Sequence, residues 1–312
     1  MILMKIFNQK PELREVKLKM PSGKTLTFNG FWAGFDPSVQ FASWPHIIDK
    51  HCNEKEIRIL GPFWKEKDFH IYLEIAKTQG KWDIFITGEN RENPRELAKK
   101  CIGFRSPNNI SEIRFPYWQW YINWQNLEIT KPYKRFNEVY SISKLMEPIS
   151  KNYGEITETI FKKTPPKAVL LSSHLKRHRL KLYINCRMSI GCDLYGKKYI
   201  PITTQKKELL SQYQINLCPE NFIGQGYITE KIPEAFLSGC IPVTYCDPND
   251  LKLDFNHKAV VNLYGLSGYQ IRKKLKEIST DFEVFTALRN EPLLSSIPEN
   301  KKLIELLSKR IG

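Results

Sequence analysis

Residues 216–250 read NLCPENFIGQGYITEKIPEAFLSGCIPVTYCDPND, a polar, glycine-punctuated loop followed by a short amphipathic helix and a buried strand. Asn216-Leu217-Cys218 closes a strand, and Glu220, Asn221, Gly224 and Gly226 make the loop. Thr229 is placed to N-cap a helix in which Ile232, Ala235 and Phe236 share a face. Pro233 falls in the first turn, where a missing N–H costs little. Gly239 stops the helix, and Cys240-Ile241-Pro242-Val243 begins the next strand. Tyr227, Glu230 and Lys231 then lie beside free backbone N–H groups at the helix start, where a phosphate or diphosphate is held.

Outward from this stretch, strands and helices alternate. Ala168–Leu171 reads as a strand, 176–184 as a helix, 205–213 as a helix and 214–218 as the strand entering the motif. That is the doubly wound pattern, with ligand expected at the C-terminal strand ends. Upstream, residues 1–28 hold two strand-like runs around Pro21-Ser22-Gly23. Residues 38–51 and 72–76 read as helical, and 57–60 and 82–87 as strands. Such alternation implies an α/β domain with a largely parallel sheet. A chain of 312 residues can bury two cores. Lys162-Lys163-Thr164-Pro165-Pro166 reads as the linker. The expected division is 1–160, 161–280 and a helical tail 281–312.

The motif resembles the α-1,3/4-fucosyltransferases, a family of inverting, GDP-fucose-dependent enzymes of GT-B architecture. Their hallmark runs C-F-E-N, G-Y-[VI]-T-E-K-I, then A-F-x-x-G-x-I-P-V-Y-W-G-[DS]-P. Cys218, Glu220, Asn221, Gly226 to Ile232, Ala235-Phe236, Gly239, Ile241-Pro242-Val243 and Asp247-Pro248 match it. Thr87-Gly88-Glu89-Asn90-Arg91 with Cys101-Ile102-Gly103-Phe104 resembles the family's S-G-E-N-R and I-G-F segments. Asn29 to Pro37 resembles its D-F-W-x-x-F-D-P entry segment. Ser172-Ser173-His174 leading to Arg179, then Cys192 to Gly196, resembles a weaker third segment. Pro219 in place of the C-F-E-N aromatic, and Thr244-Tyr245-Cys246 in place of Tyr-Trp-Gly, keep a different GDP-deoxysugar open as donor.

The resemblance implies an α/β fold of two Rossmann-like domains with the active site in the cleft between them. It places the general base at Glu89 in the first domain. The donor site would take Arg179, Glu220, Asn221, Tyr227, Ile228, Thr229, Glu230 and Lys231, with Lys231 and Arg179 neutralising the departing diphosphate. For Glu89 the plainer reading is a surface glutamate paired with Arg91; for Glu230 and Lys231 it is an ordinary charged helical turn. Phe115 to Trp124 is rich in aromatic residues and amides. Trp118, Trp120 and Tyr121 there suit a stacking platform for an acceptor sugar, or a packed core segment. The acceptor implied is an oligosaccharide or lipid-linked glycan, N-acetyllactosamine-like or of O-antigen type.

The net charge of +15 points to nucleic acid, an anionic membrane or a phosphorylated substrate. No nucleic-acid-binding motif accompanies it, so no nucleic acid is expected as partner. A basic binding protein without catalysis, for nucleic acid or glycan, is the rival class. Basic residues cluster at Arg272-Lys273-Lys274-Lys276 and at Lys301-Lys302 with Lys309-Arg310. Between the latter, Leu303, Ile304, Leu307 and Ile311 form an apolar face suited to a membrane surface or to packing on the body. No run of about 18 apolar residues is present, and Met1-Ile2-Leu3-Met4 is too short for a signal-peptide core. The expectation is a cytoplasmic enzyme, peripheral on a membrane.

Seven cysteines without a C-x-x-C pair read as reduced thiols. Asp247-x-x-Asp250 reads as the turn ending a strand rather than a metal motif. His174-x-x-x-His178 lacks the glutamate of zinc proteases. No structural metal and no cofactor beyond the GDP-fucose donor are expected, with a divalent ion at most stimulatory.

Overall fold

The computed structural model describes residues 14–40, 44–89, 91–107, 109–124 and 136–309. The first sheet takes its strands in chain order: β1 (Glu15–Lys19), β2 (Thr25–Asn29), β3 (Glu56–Leu60), β4 (Trp82–Ile86), β5 (Ala98–Gly103) and β6 (Glu112–Arg114). Only β1 runs antiparallel; it pairs with β2 through the turn at Gly23, whose φ of 87° suits glycine. The other strands are parallel, and β3, β4 and β5 have apolar residues on both faces, as a sheet covered on both sides requires.

The second sheet contains β7 (Ala168–Leu171), β8 (Cys192–Tyr195), β9 (Ile215–Leu217), β10 (Ile241–Thr244) and β11 (Val261–Asn262). Its order is β11-β10-β9-β7-β8, and every pairing is parallel. The fold is thus the expected α/β pair of parallel sheets; helices cross between their parallel strands except from β4 to β5 and β5 to β6, where the described residues form turns. The helix expected over 38–51 is present as Pro37–Gln40 and Trp44–His51. The one expected over 176–184 runs longer, Arg177–Ser189.

The domain boundaries differ from the linear division. Trp118, Tyr121, Phe136, Tyr140, Leu145 and Ile149 share one core with Phe236, Leu251 and Phe255, and the Trp118 and Phe255 rings lie 5.0 Å apart. The segment before residue 160 therefore packs on the second domain. The expected tail is also divided. Phe282–Arg289 buries Phe285 in the second domain's core. Lys301–Ser308 returns to the first, burying Leu303, Leu306 and Leu307 beside Trp44 and Ile47. Lys100 of β5 caps that helix, donating to Leu307 O at 3.1 Å and Lys309 O at 2.6 Å. Of the face left open between a membrane surface and packing on the body, Leu303 and Leu307 are core, because a neighbouring hydrophobic surface lies within reach; Ile304 is half-buried, and Ile311 falls outside the described residues.

All seven cysteines are free, six of them buried. Burial raises the Cys52, Cys101 and Cys246 thiols to about 12, so they stay protonated.

Candidate active site

The chain leaves β7 toward β8 on one side and leaves β9 toward β10 on the other. At such a reversal of direction, the loops following the two strands diverge and leave a crevice. Here those loops are Ser172-Ser173-His174 and Cys218-Pro219-Glu220-Asn221. Arg179, in the first turn of helix Arg177–Ser189, ties them together. Its Nη1 donates to Ser172 Oγ (3.2 Å) and His174 O (3.3 Å), and its Nε to Glu220 O (3.2 Å). Its Nη2 donates to Pro219 O (3.2 Å) and to Asn221 Oδ1. His178 Nε2 lies 2.7 Å from Glu220 O. All five guanidinium N–H groups are engaged. Burial lowers the Arg179 pKa, with Glu220 opposing, and the group remains charged in any physiological range. Arg179 thus brings positive charge to the crevice while holding the loop; a direct clamp on a diphosphate requires it to exchange one of these bonds.

Glu220 is 2% exposed and organises the rest of the loop. Its carboxylate accepts from Thr229 N (2.8 Å), Thr229 Oγ1 (2.9 Å) and Lys231 Nζ (2.6 Å). Lys231 Nζ also donates to Thr229 Oγ1 at 2.7 Å and lies 3.7 Å from Glu230. Burial works against the Lys231 charge, but Glu220 and Glu230 outweigh it and its pKa is raised. Thr229 therefore does not cap the helix, as its position suggested. The helix spans Lys231–Phe236 with Glu230 at its N-cap, because the Thr229 hydroxyl is taken by a carboxylate nine residues earlier. Ile228, expected at the donor, is 1% exposed in the core.

Glu89 enters from the first domain. Beyond β4, the Thr87 hydroxyl accepts from Glu89 N (3.0 Å) and donates to Glu89 O (2.9 Å), turning the chain outward. The turn can pack closely because residue 88 is glycine: a Cβ there would meet the Tyr117 ring at 2.0 Å. Tyr227, itself 3% exposed, lines the same cleft as Glu89. Burial raises the Glu89 pKa; the Lys231 charge and the nearby Tyr227 hydroxyl lower it, while Glu230 and Glu220 raise it. The carboxylate thus lies in the field of Lys231, Glu230 and Glu220 and is made a stronger base than an exposed glutamate. Tyr227 is positioned by Gly226, whose φ is 72° and whose added Cβ would stand 2.5 Å from Phe104 O.

Between the domains lies a cleft of about 610 Å³. Phe63, Trp64, Lys65, Glu89 and Arg91 line it from the first domain, and His174, Lys176, Arg179, Asn221, Phe222 and Tyr227 from the second. Arg91 does not pair with Glu89; its guanidinium covers the Trp64 ring at 4.0 Å and donates to Trp64 O at 2.7 Å. Asn90 lies outside the described residues.

The aromatic platform at 115–124 is not at this cleft. Trp118, Trp120 and Tyr121 are at most 2% exposed. Trp120 stacks on Trp44 at 5.9 Å, and the Tyr121 hydroxyl donates to that of Tyr117 at 2.6 Å. The packed alternative holds: Trp118 and Tyr121 lie in the core shared with the second domain, and Trp120 lies in the first domain's core. The aromatic groups at the cleft mouth are Phe63 and Phe222, 45% and 41% exposed. Their only sequence signal was a loop position, Phe63 after Gly61-Pro62 and Phe222 after Glu220-Asn221. Asp247 does not end a strand: its side chain accepts from Asn249 N and starts helix Pro248–Asp254.

Two parallel-sheet domains, with a nucleotide-type crevice at the second sheet's reversal and a carboxylate facing it from the first, define a GT-B glycosyltransferase fold. Residues 161–286 match the family model "Glycosyltransferase family 10 (fucosyltransferase) C-term". Over 210 residues the chain is 28% identical to the alpha-(1,3)-fucosyltransferase FucT of Helicobacter pylori, covering 63% of this chain and 44% of that protein. The chain thus spans less than half the length of that relative. Among solved structures, an alpha1,3-fucosyltransferase superimposes with a TM-score of 0.63 at 18% identity, over 91% of this chain and 90% of that one. An alpha1,3-fucosyltransferase with GDP gives 0.56 at 19% identity, over 88% and 97%.

Proposed function

We propose that this protein is an inverting fucosyltransferase that moves fucose from GDP-fucose to a hydroxyl of an acceptor glycan, in an α-1,3 linkage. The observation that carries this reading is that Glu89 of the first domain lines one cleft with Arg179, Asn221 and Tyr227 of the second. The acceptor hydroxyl gives its proton to Glu89 as its oxygen forms the bond to fucose C1. The C1–oxygen bond to the β-phosphate breaks, and GDP leaves with the electron pair. Lys231 and the Arg179-held loop stabilise that developing charge. Tyr227 orients the base, and Glu230 faces the positive charge growing on the sugar ring. The side chains of Phe63 and Phe222 offer apolar faces to an acceptor glycan, of N-acetyllactosamine or O-antigen type.

A different GDP-deoxysugar was suggested by Thr244 and Cys246. Both are buried, and the Thr244 hydroxyl donates to Cys218 O at 3.2 Å. Neither lines the cleft, so they give no reason to prefer another donor. The test is release of GDP from a panel of GDP-sugars with N-acetyllactosamine as acceptor. Turnover of GDP-fucose is expected; turnover of another GDP-sugar in its place would replace the donor.

A further inference from the structure

Helix Arg177–Ser189 has two apolar faces. The inner face, with Leu182 and Cys186, is buried in the second domain's core. The outer face carries Leu180, Ile184 and Met188, spaced four residues apart and so aligned on one side. They are 40%, 44% and 68% exposed. The surface continues on both flanks. Tyr199 and Ile200, beyond β8, share a depression with Tyr183 and Arg187 of the helix. On the other flank, Arg272 Nη1 donates to Asn185 Oδ1 (2.6 Å) and Lys181 Nζ to Leu266 O (2.7 Å). These bonds hold helix Gly268–Thr280 alongside, where Tyr269 is 70% exposed.

The charge around this apolar stripe is almost all of one sign. Apart from the buried Arg179, residues 176–200 carry six lysines and arginines, Lys176, Arg177, Lys181, Arg187, Lys197 and Lys198, and one acid, Asp193, which accepts from the Tyr213 hydroxyl at 2.7 Å. Helix Gly268–Thr280 adds Arg272, Lys273, Lys274 and Lys276 against Glu277 alone. An exposed aliphatic stripe in a cationic field is an unusual surface for water. A second copy of this chain would bring the same charge against it, and a polynucleotide would leave the stripe without a partner. An anionic bilayer satisfies both features: phosphates meet the cations, and aliphatic side chains enter the headgroup layer.

We propose that this face of the second domain docks on an anionic phospholipid surface. The same helix begins at the cleft with Arg179, so docking holds the site beside the bilayer, within reach of a lipid-linked glycan. The docking itself does not depend on the reaction proposed above.

The test is co-sedimentation with phosphatidylcholine vesicles, with and without phosphatidylglycerol. The wild-type protein is expected to sediment only with the anionic vesicles, less so as salt rises. Leu180→Ser/Ile184→Ser/Met188→Ser should bind them about tenfold or more weakly, with an unchanged circular dichroism spectrum. Arg187→Glu should weaken binding by about fivefold or more. Should the triple variant fail to fold, Met188→Ser, the most exposed position, carries the comparison. Failure of the wild type to sediment with anionic vesicles overturns the proposal. So does undiminished binding of the serine variants, which would mark a polyanion surface. So does a dimer in light scattering that these variants dissociate, which would make the stripe a contact between copies.

Discussion

Arg114 at the end of β6 and Asp254 at the end of helix Pro248–Asp254 form a two-pronged ion pair, with Nη1–Oδ1 at 2.8 Å and Nη2–Oδ2 at 2.7 Å. The pair joins the last strand of the first sheet to the helix following the motif strand of the second. It lies near the Gly226 turn, where an added Cβ would stand 3.5 Å from Arg114 Nε. Asp254 is buried and Arg114 nearly so. Asp254→Ala leaves the guanidinium unpaired and should destabilise the protein by about 3–5 kcal/mol, measured by urea denaturation. A loss below about 1 kcal/mol would show that the domains do not depend on this pair.

Gly226→Ala should be disproportionately harmful for so small a change. Its φ of 72° strains an alanine, and the new methyl would meet a backbone carbonyl of the other domain. A cost of about 1–3 kcal/mol is expected, with a loss of turnover because Tyr227 moves off Glu89. Wild-type kinetics in this variant would break the link between the 226 turn and the base.

Glu89→Gln should lower turnover by about 10²–10⁴ and leave GDP affinity unchanged by calorimetry, as the nucleotide loop is in the other domain. Burial raises Glu89 above its usual range, so the acidic limb of the pH–rate profile should lie above pH 4.5, the group's ordinary value. The sign for stability is opposite. The folded state holds this proton more tightly, so Glu89 stabilises the fold at low pH. That contribution falls as pH rises through the unfolded value and is gone above the folded one. At pH 7, Glu89→Gln should therefore melt no lower than the wild type. A marked drop in melting temperature would make Glu89 structural.

Lys231→Met should weaken GDP binding and slow transfer, each by about tenfold to a hundredfold, since one charge serves the bound and the departing diphosphate. It should also destabilise the protein, because Glu220 is left buried without its cation. Pairing it with Glu220→Gln should restore stability but not turnover. Recovery of both would confine Lys231 to a structural role.

Chelation by EDTA should leave transfer measurable, since lysine and arginine supply the charge that a divalent ion would otherwise provide. Complete loss, rescued by a single metal, would reopen Asp247 and Asp250, at the start of helix Pro248–Asp254, as ligands.

The legible parts of the site were those set by local pattern. The strand–loop–helix–strand order around Glu220 to Lys231 and the loop bearing Glu89 follow from glycine placement and apolar runs. What sequence could not supply was the partner of each side chain. Thr229 has the composition of an N-cap, yet Glu220 claims its hydroxyl. Trp118, Trp120 and Tyr121 are equally suited to a sugar or a core, and only the packing of the two domains' cores decides. Arg114 and Asp254 are 140 residues apart, and nothing local marks either as half of a pair. The amphipathic pattern at 303–307 was read correctly as a helix with an apolar face, but the surface that covers it is brought there by topology.

That last helix has a consequence for how the protein is made. The first domain's core is incomplete until Leu303, Leu306 and Leu307 arrive, and Lys100 finds its carbonyl partners 207 and 209 residues downstream. During synthesis the second domain can close while the first, although translated earlier, still exposes the apolar flank of its sheet. Assembly order is therefore the reverse of translation order, and a chaperone that shields nascent chains has the earlier half as its natural client.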